Sequence, residues 1–126
     1  MTLVDSSMSI SEAAERAGLS THTLRYYERE GLMIGGVGRA SSTHRRYTDA
    51  DLVWIDFLTK LRSTAMPISK VREYVDLVRL GDRSTSARLA LLQEHRLTVL
   101  AQIDEMTHSL RGIEHKIAIY SKGNNR

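Results

Sequence analysis

The sequence predicts a mainly α chain: a helix-turn-helix domain with a small β wing, followed by a long helix suited to a coiled coil. Three observations predict this. Short segments bounded by cap residues and glycine occupy the start of the chain. A glycine-rich, basic stretch follows that no regular helix accommodates. The last third repeats apolar residues at alternating spacings of three and four. At 126 residues the chain has room for one modest core and an extended helix.

Residues 1–8 read as a flexible tail. Ser9 followed by Glu12 is a capping-box pattern, and Ile10, Ala13, Ala14 and Ala17 then recur at helical spacing. Gly18 ends that helix, and Ser20 caps a second one from about Thr21 to Glu30, which stops at Gly31. Two short helices joined by a glycine-containing turn form a helix-turn-helix pattern, with small alanines allowing close approach. Within the second helix, Leu19, Leu24, Tyr27 and Gly31 face inward. His22, Arg25, Tyr26 and Arg29 project from another side, at spacings of three and four. A phenol and a guanidinium are suitable phosphate contacts. Glu28 and Glu30 are expected to lie away from any polyanion or to pair with Arg29.

The stretch "MIGGVGRASS", from Met33 to Ser42, fits a small hairpin better than a linker. Thr48 then caps a helix with an acidic first turn, "TDADLVWIDFLTKLR". Its stripe is Leu52, Ile55, Leu58 and Leu61, widened by Val53, Trp54 and Phe57, with Trp54 read as packing. Ser63 to Met66 forms a turn, and Pro67 starts the next helix. That helix is expected to bury Val71, Tyr74, Val75 and Val78 and to close at Gly81.

The final segment carries a heptad seam: Leu89, Leu92, Arg96, Val99, Ile103, Met106, Leu110, Ile113, Ile117 and Tyr120. It extends over ~46 Å at ~1.5 Å per residue. So narrow an apolar stripe favours self-association over packing within one chain. Arg96 would meet its own copy in a parallel dimer, whereas an antiparallel pair sets it near Glu114. A long arginine can also snorkel outward, but the balance leans to antiparallel. The expected organisation is a tail (1–8), a DNA-binding-type domain (9–80), a dimerisation helix (84–120) and a flexible tail (121–126).

Several classes of function are disfavoured. The chain has no cysteine, so disulfides, thiolate metal sites and thiol nucleophiles are absent within it. No P-loop or dinucleotide-binding glycine pattern occurs, and the glycines of "GGVG" lack the strand, helix and lysine that phosphate binding needs. No catalytic residue and no cofactor are expected. His108 with Asp104 could share a metal, but His115 lies about 10 Å further along the helix. These are read as surface histidines, and no metal site is assigned. No apolar run approaches the ~20 residues of a membrane span, and no signal peptide is evident, so the cytoplasm is the expected location. Net charge is only +3, but residues 31–48 hold Arg39, Arg45 and Arg46 beside His44 with no acid, a patch suited to a polyanion.

In order, "SISEAAERAGLSTHTLRYYEREGLM", the wing "RASSTHRRYT" and "DADLVWIDFLTKLRSTAMPISKVREYVDLV" resemble the MerR family of bacterial transcription regulators over about residues 9–80. The combination of T-L-R-Y-Y-E-x-E-G-L with R-x-Y after the wing carries the resemblance. It implies a winged-helix DNA-binding domain and a homodimer joined by an antiparallel coiled coil through Leu89, Leu92, Val99, Ile103, Met106, Leu110, Ile113 and Ile117. It further implies binding to an inverted-repeat element in double-stranded promoter DNA. Effector-bound dimers of the family distort an overlong promoter spacer, so RNA polymerase is engaged indirectly through the promoter.

Carried onto this chain, the resemblance puts Arg25 and Tyr26 on the DNA backbone, with Thr21 and His22 where bases are read. Arg45 matches a backbone-contacting wing arginine, and His44 stands where many members have tyrosine. Arg62 matches a basic position that reaches a flanking phosphate, with Arg39 and Arg46 as further contacts. Tyr47 is expected to pack the wing onto the domain. Thiol-dependent sensing is absent, with Lys60 in the region where some relatives carry the cysteine. With about six residues after Tyr120, no separate drug-binding domain is expected. A small-molecule effector is therefore expected to act without a thiol. The alternative is an effector-independent DNA-bending protein, and a more distant one is a histidine-based metal-binding protein on this scaffold.

Overall fold

The computed structural model describes residues 7–34, 39–40 and 44–124; the side chains at positions 39, 40, 44, 45 and 124 lie outside the description. In chain order the elements are α1 (Ile10–Ala17), α2 (Thr21–Arg29), β1 (Arg39–Ala40), β2 (His44–Arg45), α3 (Asp49–Ser63), α4 (Ile68–Arg79) and α5 (Thr85–Asn124). A 3-10 turn, Gly81–Ser84, joins α4 to α5. The chain divides into two compact units, Met1–Arg88 and Leu89–Arg126. It is mainly α, with a helix-turn-helix, a two-stranded hairpin and a long C-terminal helix.

The caps form as the sequence predicts. Ser9 Oγ accepts from Glu12 N at 3.2 Å while the Glu12 carboxylate accepts from Ser9 N at 3.4 Å, completing the box that starts α1. Thr48 and Asp51 do the same for α3, at 3.2 and 2.9 Å. Three helices end alike. Gly18, Gly31 and Ala65 take left-handed φ values of 70°, 69° and 69°. After each, the next residue donates back five positions: Leu19 to Ala14, Leu32 to Tyr27 and Met66 to Leu61. That is the Schellman pattern, which satisfies carbonyls a helix end leaves orphaned. Arg62 Nη1 reinforces the third end by donating to Met66 O at 2.7 Å.

The core of the first unit gathers Leu24, Leu32, Tyr47, Ile55, Leu58, Met66, Val71 and Val75, all fully buried. Ala13 and Ala14 are buried where α1 packs against α2 and α3. Trp54 stacks on Tyr74, with ring centroids 6.1 Å apart and planes 13° from parallel, and Phe57 meets the same tyrosine at 5.5 Å. Burial pushes the Tyr74 phenol above its ordinary pKa, and the nearby Arg88 guanidinium opposes that rise.

Four expectations need correction. Ser7 and Met8 are not part of a loose tail. Met8 is 3% exposed and bridges Tyr47 through backbone hydrogen bonds of 2.7 and 2.8 Å. Arg46 meanwhile donates to Ser7 Oγ and Ser7 O at 3.0 and 2.9 Å. Residues 1–6 of that expected tail lie outside the described residues. Val53 does not widen the α3 stripe; it is 72% exposed, because the buried line runs Ile55–Leu58–Leu61 and Val53 falls off it. Val78, expected to be buried, is half-buried as the next-to-last residue of α4. Finally, α5 runs through Asn124, past the expected boundary at residue 120, because no glycine or proline lies between Tyr120 and Gly123 to stop it; residues 125–126 lie outside the description.

Within the second unit, α5 exposes Leu89, Ile103, Met106, Leu110, Ile113, Ile117 and Tyr120, while Leu92 and Val99 are half-buried. A helix of 40 residues spans ~60 Å. Among the described residues no helix is long and apolar enough to cross a membrane.

Candidate nucleic-acid interface

The interface begins with the ends of α2. Ser20 Oγ accepts from Thr23 N at 3.0 Å, so the helix starts where Thr21 and His22 form its first turn. Leu24 and Tyr27 are buried and pin one face to the core. The helical period then leaves His22, Arg25 and Arg29 exposed on the other side. Thr21 and Tyr26 are half-buried, and the Tyr26 ring leans on Tyr27 at 6.3 Å and 53°. Tyr26 is therefore partly covered rather than freely projecting.

Among the described residues Arg25 and Arg29 make no ion pair. Glu30 pairs with Arg72 of α4 at 2.6 Å; of its two expected placements, away from the polyanion or against Arg29, the pairing with Arg29 does not form. The reason is reach: Arg72 arrives from a neighbouring helix, a partner that helical periodicity cannot reveal.

The hairpin supplies the second part. Arg39 pairs with Arg45 and Ala40 with His44 in an antiparallel ladder, which sets Arg39, His44 and Arg45 on one two-stranded element. Their side chains lie outside the description. Arg46 is half-buried and committed to Ser7, a structural task the sequence did not suggest. Tyr47 is fully buried at the foot of β2. Arg62 is exposed, yet one of its nitrogens is held by Met66 O, and Lys60 pairs with Asp56 at 2.8 Å. His108 and His115 are exposed on α5, and no group of three potential metal ligands occurs among the described residues.

Exposed cations on a helix face, and a hairpin whose sequence carries Arg39, His44 and Arg45, are chemistry suited to a polyanion. The sequence profile described as MerR HTH family regulatory protein matches residues 8–77. This chain belongs to the MerR family. It is 37% identical over 111 residues to an uncharacterized HTH-type transcriptional regulator of Haemophilus influenzae, covering 88% of this chain and 82% of that one. Among solved structures it resembles HiNmlR, described as a MerR family regulator lacking the sensor domain and bound to promoter DNA. The TM-score is 0.84 and the identity 35%, covering 92% of this chain and 91% of HiNmlR. A MerR family transcriptional regulator from Bacillus thuringiensis matches with a TM-score of 0.79 at 28% identity, covering 89% and 97% of the two chains. The MerR-family chain is thus a DNA-binding transcription regulator, and its family is one of regulators rather than enzymes.

Proposed function

We propose that this MerR-family regulator binds an inverted-repeat promoter element as a homodimer and distorts the DNA it holds. The observation that carries this reading is the exposed α2 face with Arg25 and Arg29, neither in an ion pair among the described residues, in a chain whose long helix leaves an apolar heptad stripe exposed. Arg25 and the Tyr26 hydroxyl would grip phosphates, and Thr21 and His22 would reach base edges from the first turn of α2. Arg39, His44 and Arg45 would extend the grip from the hairpin, and Arg62 would use its remaining donors on a flanking phosphate. Two copies joined along α5 would place two such faces on successive half-sites, and the contacts spread over both would offset the cost of bending the duplex.

A similarity covering 91% of HiNmlR, itself described as lacking the sensor domain, favours a regulator that works without a separate ligand-binding domain. With no cysteine in the chain, the small-molecule signal would be sensed without a protein thiol. Effector-independent bending is the second reading, supported by that same similarity; a ligand-dependent change in transcription would exclude it.

The test is Arg25→Ala, assayed against a labelled duplex spanning the gene's own promoter. Operator affinity should fall at least about tenfold, the loss of a charge-assisted contact worth roughly 1.5–3 kcal/mol, with helix content and oligomeric state unchanged. Undiminished binding by the folded variant would refute the assignment of α2.

A further inference from the structure

Three consecutive backbone carbonyls at the exit of α2 are held by side chains from distant parts of the chain. Arg79 Nη2 donates to Gly31 O at 2.6 Å and to Met33 O at 2.9 Å. Trp54 Nε1 donates to Leu32 O, between them, at 2.7 Å. One residue upstream, Glu30 is tied to Arg72. The donors are themselves fixed: Asp76 holds the other Arg79 nitrogen at 3.3 Å, and the Trp54 ring lies on Tyr74.

Ending the helix does not require these bonds. Gly31 already closes α2 in the left-handed conformation, with Gly31 N and Leu32 N donating back to Glu28 and Tyr27. What a Schellman end leaves free is the direction of the next few residues, which here lead from α2 toward the hairpin. A planar guanidinium bridging two carbonyls, with an indole on the one between, removes that freedom. Both donors come from α3 and α4, so the heading of the chain after α2 is set by the core and not by the turn itself.

We propose that Trp54 and Arg79 are positioning residues for DNA binding, holding the α2 exit so that the α2 face and the hairpin engage one duplex at once. This rests on the reading of α2 and the hairpin as DNA-contacting elements. Neither residue has to touch DNA. Each acts through the carbonyls of residues 31–33 that it holds at the α2 exit.

The test is the salt dependence of binding by full-length Trp54→Phe and Arg79→Gln to the same promoter duplex, with Arg25→Ala alongside. Trp54→Phe removes the indole N–H and part of the ring but no charge, so a reduced slope of log K against log salt reports a weaker hold on phosphates by other side chains. Each phosphate released lowers the slope by about 0.9. The expected result is a fall of at least one phosphate per protomer for Trp54→Phe and of more than one for Arg79→Gln, with both variants folded at the assay temperature by circular dichroism. An unchanged slope for folded Trp54→Phe overturns the proposal. If that variant does not fold, Arg79→Gln decides. Direct contact by a single guanidinium accounts for one phosphate at most, so a fall of one or less overturns the proposal and a larger one supports it. Should Arg25→Ala also leave binding intact, the failure belongs to the underlying interface and not to the clasp.

Discussion

Replacing Ile103 and Ile113 with aspartate tests whether the exposed stripe of α5 is a dimer seam. The two side chains are 56% and 58% exposed, so a little over half of each remains to be buried by a partner. Full burial of an isoleucine is worth about 1.5–3 kcal/mol, so the partner supplies roughly 1–1.5 kcal/mol at each site. Each substitution occurs twice in a homodimer, which brings the loss to about 4–6 kcal/mol, or about a thousandfold or more in the dimer dissociation constant. Carboxylates forced into a seam add a desolvation penalty in the same direction. Light scattering at micromolar concentration should therefore report monomers, and sedimentation velocity should agree. Helix content should fall too, since a long helix without a packed face frays in water. A dimer that persists with its dissociation constant unchanged would refute the seam and, with it, the presentation of two DNA-binding faces.

Arg45→Ala is expected to weaken binding to operator and unrelated DNA alike and to reduce the salt slope by about 0.9 per protomer; titrations at several salt concentrations check this. Ala65→Gly should stabilise the fold by about 0.5–1 kcal/mol, because the left-handed strain of roughly 1–2 kcal/mol at φ 69° exceeds the entropic cost of glycine, and thermal melting reads the gain. Stability should decline as pH rises above 10, the ordinary tyrosine value. The Tyr74 pKa is raised in the fold, so the native state keeps a proton that the unfolded chain releases. Below that pH the group contributes no dependence, and a Tyr74→Phe chain should lose this alkaline limb in denaturant titrations.

Local chemistry was legible in the sequence. The capping box at Ser9, the cap at Thr48 and the stops at Gly18 and Gly31 follow from the residue types at helix ends, and the split of "LRYYEREGL" into a buried Leu24–Tyr27 side and an exposed Arg25 side follows from spacings of three and four. Contacts between distant segments were not. Arg79 reaches Gly31 across 48 residues, Trp54 reaches Leu32 across 22, and Arg46 reaches Ser7 across 39. A periodic pattern says which face a residue occupies, not which neighbour meets it. Glu30 shows the difference, since its nearest guanidinium in sequence, Arg29, was the wrong one. Val53 fails for another reason: its hydrophobicity enlarged the expected stripe although its register placed it outside the buried line.

The latch between Ser7–Met8 and Arg46–Tyr47 has a consequence for how the reading head opens. It ties the chain to itself on either side of α1, α2 and the hairpin, making them a loop of about 39 residues fastened at its neck. Closing such a loop has an entropic cost, but once it is closed neither helix has a free end in the first unit from which to unzip. The helix-turn-helix should therefore exchange its amide hydrogens as one cooperative block rather than fraying inward from its first turn. Loosening the latch would give the recognition helix the independence of a terminal segment while leaving every residue on its face unchanged.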